Sequence, residues 1–130
     1  MNEVATAQRR YLTVGLWIVQ GVLAFQFAGA GVMKLMGTPE MVTLFADIGA
    51  GQGLRYVVGA LEVAGAVGLL VPRLAGLAAL GLVGLMLGAT FTNIVVIDES
   101  PVLPLVLIVA AAAVVRARRS QIVALLRSRR

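Results

Sequence analysis

Val57-Val58-Gly59-Ala60-Leu61-Glu62-Val63-Ala64-Gly65-Ala66-Val67-Gly68-Leu69-Leu70 is an unbroken apolar run with a single carboxylate near its middle. With the few residues that precede it, the run approaches the roughly 20 apolar residues that a helix needs to cross a bilayer. In such a helix Glu62 lies in hydrocarbon, where a charged side chain costs roughly 2.5–3.5 kcal/mol on insertion scales. It therefore needs a partner, a water-filled cavity or a proton. Two roles stay open for it, as interhelical glue or as a site residue, and whatever chemistry the chain performs is expected near it.

The rest of the chain has the same character. Of its 130 residues 60% are hydrophobic and only 13% charged, and the mean hydropathy is +0.98. A soluble domain is nearer a quarter charged. A transmembrane β-barrel alternates apolar and polar positions, which these continuous runs do not. The fold class expected is all-α, a polytopic integral membrane bundle. The 15 glycines suit helices that approach closely within lipid. There is no Cys and no His, which removes thiol chemistry, iron–sulfur ligation and imidazole-bound haem or zinc, so no metal is expected.

Charge is unevenly spread: Arg116, Arg118, Arg119, Arg127, Arg129 and Arg130 are six of the eleven basic residues. A basic segment directly behind an apolar helix marks the cytoplasmic side rather than a nucleic-acid partner.

Taken in order, residues 1–10 form a short polar cytoplasmic segment ending in Arg9-Arg10, residues 11–115 a four-helix membrane domain, and residues 116–130 a basic cytoplasmic tail. The first apolar run, 11–33, is too long for a cleaved leader and carries Gln20 and Gln26, so it reads as a retained helix. In the loop that follows, Thr38 as N-cap, Pro39 at the first helical position and Glu40 in the first turn start a short helix. Met41, Leu44, Phe45 and Ile48 give that helix one apolar face. It is too short to span and is expected at the interface, as a connector or a lid.

The second span is expected over 54–71, stopped by Pro72-Arg73, and the third over 74–97, with Gly81, Gly84 and Gly88 as a close-packing seam. The fourth, 102–115, is short and accepts Pro104 in its first turn. Residues 120–130 continue as a basic amphipathic helix resting on anionic lipid. Four spans put nine basic residues on one side, against Lys34 and Arg55 on the other. Both termini are then cytoplasmic, and the plasma (inner) membrane is the expected location.

At about 1.5 Å per residue, Gln26, Glu62 and Thr90 come out at a similar depth, each eight residues from the outer end of its own helix. Lys34, Arg55 and Asn93 lie above them. The six are the expected ligand-binding residues of a polar funnel open to the outer side. Within it Glu62 is the candidate proton acceptor or donor, held ionised by Lys34 or Arg55.

Gly31-Val32-Met33-Lys34-Leu35 resembles the G-x-x-K-L signature of the DoxX-like membrane proteins. The stretch from Gly59 through Leu61-Glu62 to Pro72-Arg73 resembles that family's second motif, and the resemblance covers roughly residues 10–119. It implies a four-helix membrane domain with Lys34 and Glu62 as its marked polar positions. The family takes its name from a small subunit of a quinone-linked terminal oxidase. Other members are associated with membrane oxidoreductase complexes, and distant relatives look like assembly chaperones. Many members have His near the position of Asn93, and this chain departs from them there, which argues against a metal or proton relay at that residue.

The expected function is therefore an accessory subunit of a membrane oxidoreductase complex with an intramembrane site for a quinone or lipid, not catalytic alone. The alternative is a scaffold or assembly module holding lipid, a membrane-protein partner or a second copy. A small transporter ranks below both, since no internal repeat is visible.

Overall fold

The computed structural model describes residues 2–128, and all regular structure within them is helical. In chain order the helices are α1 (Asn2–Met36), α2 (Pro39–Ile48), α3 (Gln52–Leu70), α4 (Ala75–Phe91), α5 (Val102–Ala117) and α6 (Arg119–Ser128), with a π-helical turn, Thr92–Val96, continuing α4. Arg129 and Arg130 of the expected basic tail lie outside the described residues, as does Met1.

Three helical stretches are long and apolar enough to cross a membrane: Asn2–Met36, Gln52–Leu70 and Ala75–Val96. Val102–Ala117 is apolar but shorter; its 16 residues extend about 24 Å at the usual rise. These helices turn large aliphatic and aromatic side chains outward, among them Phe25, Val67, Leu87 and Val109. An exposed belt of that size on a water-soluble protein would drive association; on a helical bundle in lipid it is the ordinary outer surface.

α1 starts far earlier than the expected 11. Ala5, Ala7, Gln8, Arg9 and Arg10 are good helix formers, and nothing between Asn2 and Tyr11 breaks the ladder. At its other end Gly37, with φ 70°, turns the chain, its N–H donating to the Met33 carbonyl at 3.1 Å. α2 begins at Pro39 behind Thr38, but the Thr38 hydroxyl makes no capping hydrogen bond and is buried without a partner. Gly49 ends α2 in the left-handed conformation (φ 81°) with its N–H on the Phe45 carbonyl.

α1 packs mainly on α3 and α4 mainly on α5, with α3 against α4 closing the bundle. Phe27, Leu69, Leu82 and Val114, one from each of α1, α3, α4 and α5, are fully buried at its centre. Close approach comes from small residues. A Cβ at Gly59 would lie 3.0 Å from the Gly31 carbonyl oxygen, and one at Gly68 would lie 2.7 Å from Ala78 Cβ. The expected Gly81–Gly84–Gly88 seam is not used within the chain: nothing lies within 4 Å of a Cβ at any of the three. α4 instead turns Ala75, Gly76, Ala79, Leu82 and Met86 inward, so its glycine face looks away from the bundle. The expected span 74–97 is present as one continuous helical stretch, Ala75–Val96, whose winding changes near its end. Thr90 and Thr92 donate their hydroxyls to the Met86 and Gly88 carbonyls, both at 2.8 Å. Such back-bonding loosens a helix, and the winding widens into the π turn from Thr92.

Candidate functional site

The crossing of α1 and α3 brings Lys34 and Glu62 together. Gly31 and Gly59 let the two backbones nearly touch, so the next turn of α1 hangs its lysine over the next turn of α3. Lys34 Nζ lies 2.7 Å from Glu62 Oε1, and the side chains are 14% and 3% exposed. A carboxylate this well covered in an apolar bundle is expensive unless paired, and the ammonium supplies the pairing. Lys34, in the last turn of α1, also sits at the negative end of that helix's dipole.

Arg55 does not face Glu62. Although it lies two turns earlier on α3, its guanidinium bends over the end of α1, where Nη1 donates to the Lys34 carbonyl. Nε donates to Gln52 Oε1 at 2.8 Å, and the guanidinium carbon sits 4.3 Å from the Tyr56 ring centroid. A buried guanidinium is thus balanced by a helix C-terminus and an aromatic face rather than by a carboxylate. The Gly37 turn leaves space for it, since a Cβ there would meet Arg55 Nη1 at 2.9 Å.

Gln52 completes the group, its Nε2 donating to the Val42 carbonyl of α2 at 3.0 Å. The polar chain therefore runs from α2 through Gln52 and Arg55 to the backbone of Lys34, whose ammonium holds Glu62. Gln52 escaped the sequence reading. Its one signal is an amide three residues before Arg55, a spacing that makes helical neighbours.

The other expected site residues are engaged differently. Thr90 is tied to its own helix. Asn93 lies in the π turn, where its Nδ2 donates to the Ser100 carbonyl at 2.9 Å and its own carbonyl accepts from the Glu99 N–H at 2.7 Å. Asn93 thereby folds the chain back toward α5. Gln26 is half-buried on α1. The structure joins Lys34, Arg55 and Glu62 in one network, and the bonds of Thr90 and Asn93 stay within their own segments.

A second polar node lies at the opposite end of the bundle. Gln20 is fully buried; its Nε2 donates to the Leu69 carbonyl at the end of α3 at 2.7 Å, and its Oε1 accepts from Arg118 Nε at 3.0 Å. The Arg118 guanidinium lies 5.3 Å from the Trp17 ring centroid. Gln20, expected to hydrogen-bond between helices, thus links α1 to α3 and to the α5–α6 junction. Gln20→Leu leaves a carbonyl and a guanidinium N–H without partners, a loss of about 1–3 kcal/mol. The expected result is a lower unfolding temperature in detergent together with faster tryptic cleavage after Arg118. A variant that matches wild type in both would remove this node from the stabilising contacts.

Two surface grooves lie away from the ion pair, one along α6 and one between α3 and α4. Among the described residues no cluster of acidic or sulfur side chains could hold a metal ion. No curated protein and no solved structure matches the chain. The description of a DoxX-like family does match it, over residues 18–121. That span contains both the Lys34–Glu62 pair and the Gln20–Arg118 node, and the chain belongs to the DoxX-like family.

Proposed function

We propose that the chain is an accessory subunit of a membrane oxidoreductase complex. In this reading α1, α3, α4 with its π turn, and α5 cross the plasma (inner) membrane, α2 lies at the outer interface, and both termini are cytoplasmic. The 11–115 membrane domain supplies an ionic site and the 116–130 tail lies on the cytoplasmic side. The observation that carries the reading is the Lys34–Glu62 pair, the one ion pair among the described residues and covered within a mostly apolar bundle, because intramembrane ionisable residues are costly and characteristically functional. The oxidoreductase setting rests on the resemblance to members of such complexes.

The donor set suits the head of a quinone or of a polar lipid: an ammonium for a carbonyl or phosphate oxygen, and a carboxylate for a hydroxyl. A quinone brings the redox chemistry, which this chain, lacking Cys and His, does not duplicate. Lys34 is the more exposed member and the one an incoming head meets first. Glu62 takes or gives the proton that accompanies the redox step. Gln26, Thr90 and Asn93 are assigned to the walls of the same site, and Arg55 sets its outer rim by holding the end of α1.

The closure of the pair favours a second reading, a scaffold or assembly module for another membrane protein or a second copy, in which Lys34–Glu62 only joins helices. Native mass spectrometry in mild detergent separates the two, with wild type beside Glu62→Gln. The expected result is a quinone- or lipid-sized adduct on wild type, reduced in the variant at least tenfold. An adduct of equal occupancy on both would sink the site. A bare chain bound to the same protein partner in both would establish the scaffold.

A further inference from the structure

α6 is fixed to the bundle along one side only. A Cβ at Gly76 of α4 would stand 2.8 Å from the Arg118 carbonyl oxygen and 3.0 Å from Ile122 Cγ1, so the start of α6 is laid directly on the start of α4. The opposite side presents Arg119, Val123, Leu126 and Arg127 outward, with the two aliphatic residues 46% and 65% exposed. Arg116, at the end of α5, is exposed beside them.

The charge of this face is uncompensated. Residues 100–130 contain six arginines and no Asp or Glu, and among the described residues the one ion pair is Lys34–Glu62, on α1 and α3. The height of α6 is set by Arg118, the residue that joins it to α5. Arg118 reaches Trp17 and Gln20 on α1, and Gln20 reaches the last turn of α3 just before Pro72-Arg73. Arg116 in the last turn of the apolar α5, with Arg118 and Arg119 directly behind it, marks the level of lipid headgroups. α6 therefore begins where the bundle leaves the hydrocarbon.

A surface that interleaves arginines with exposed aliphatic side chains at that level fits one occupant. Phosphate takes the guanidinium groups while acyl carbon takes Val123 and Leu126. A nucleic acid or an acidic protein would satisfy the charge and leave the aliphatic residues in water. We propose that α6 is an anionic-phospholipid-binding arm, with Arg119 and Arg127, assisted by Arg116, holding headgroup phosphates of the adjacent leaflet.

The test uses the full chain in detergent with a mixture of phosphatidylglycerol and phosphatidylcholine, reading retained lipid by native mass spectrometry. Wild type is expected to retain phosphatidylglycerol preferentially, and the preference should shrink as salt rises. Each arginine near an anionic surface is worth roughly fivefold in affinity, so Arg119→Gln with Arg127→Gln should reduce the preference about thirtyfold. Arg119→Lys with Arg127→Lys should keep most of it, because the charge is kept. Both sites are exposed, so circular dichroism should show an unchanged helix content. An unchanged lipid ratio in the glutamine variant would overturn the proposal. So would an unchanged ratio accompanied by loss of a co-purifying acidic protein.

Discussion

Gly31→Leu is expected to part α1 from α3 and to abolish the Lys34–Glu62 pair. A Cβ at Gly31 would stand 2.7 Å from the Gly59 carbonyl oxygen and 2.7 Å from Val63 Cγ2. The first of these is backbone and has no rotamer into which it can retreat, so the helices must separate. Overpacking typically costs about 1–3 kcal/mol, and a side chain larger than a methyl facing a backbone belongs at or above the top of that range. The separation also moves Lys34 away from Glu62 one turn further on, so a second loss follows from the first. Gly29→Leu is the matched control: it lies on the same helix, and nothing stands within 4 Å of its Cβ position. Unfolding in detergent should show Gly31→Leu strongly destabilised and Gly29→Leu close to wild type. Equal behaviour of the two variants would mean that the Gly31–Gly59 crossing does not hold the bundle together.

Lys34→Met should be more damaging than Glu62→Gln, although both break the same ion pair. Removing one partner of a buried pair leaves an uncompensated charge, about 3–5 kcal/mol in protein interiors. The two residues differ in their escape routes. Lys34 lies in the last turn of α1 and is partly exposed, so without Glu62 its long side chain can reach the headgroup region. Glu62 is deeper and shorter, two turns inside α3 from Arg55, whose guanidinium is already committed to Gln52 and the Lys34 carbonyl. Without Lys34 it has no cation to turn to. Combining Lys34→Met with Glu62→Gln removes both charges and should recover most of the stability lost by Lys34→Met alone. A double-mutant cycle on thermal unfolding reads this coupling directly. Additive losses would show that the 2.7 Å contact contributes nothing beyond packing.

Much of this protein could be read before folding was considered. Unbroken apolar runs allow only helices in lipid. The sites of punctuation are equally local: Thr38-Pro39 starts α2 and Pro72-Arg73 follows the end of α3 within a residue or two of where their chemistry demands. The single carboxylate in α3 and the single lysine near the end of α1 stood out because each is costly in its own surroundings, whatever lies next to it. The family motifs carried the same two residues.

What the chain alone left open were matters of direction across the gaps between helices. Arg55 is at helical spacing from Glu62, yet its guanidinium bends back to cap α1, because the carbonyl of Lys34 comes within reach only after the two helices cross. Three glycines on α4 form a close-packing seam by spacing, but spacing does not say which face of a helix turns inward. The inward face is chosen by the fit of Leu82 against Gly65 and of Ala78 against Gly68. Gln20 and Arg118 are 98 residues apart, and no local pattern connects them. Helix existence and helix ends follow from short-range propensity and solvation, which the sequence holds in full. The partners of buried polar groups follow from which backbones approach closely enough to share them, and that only the tertiary packing decided.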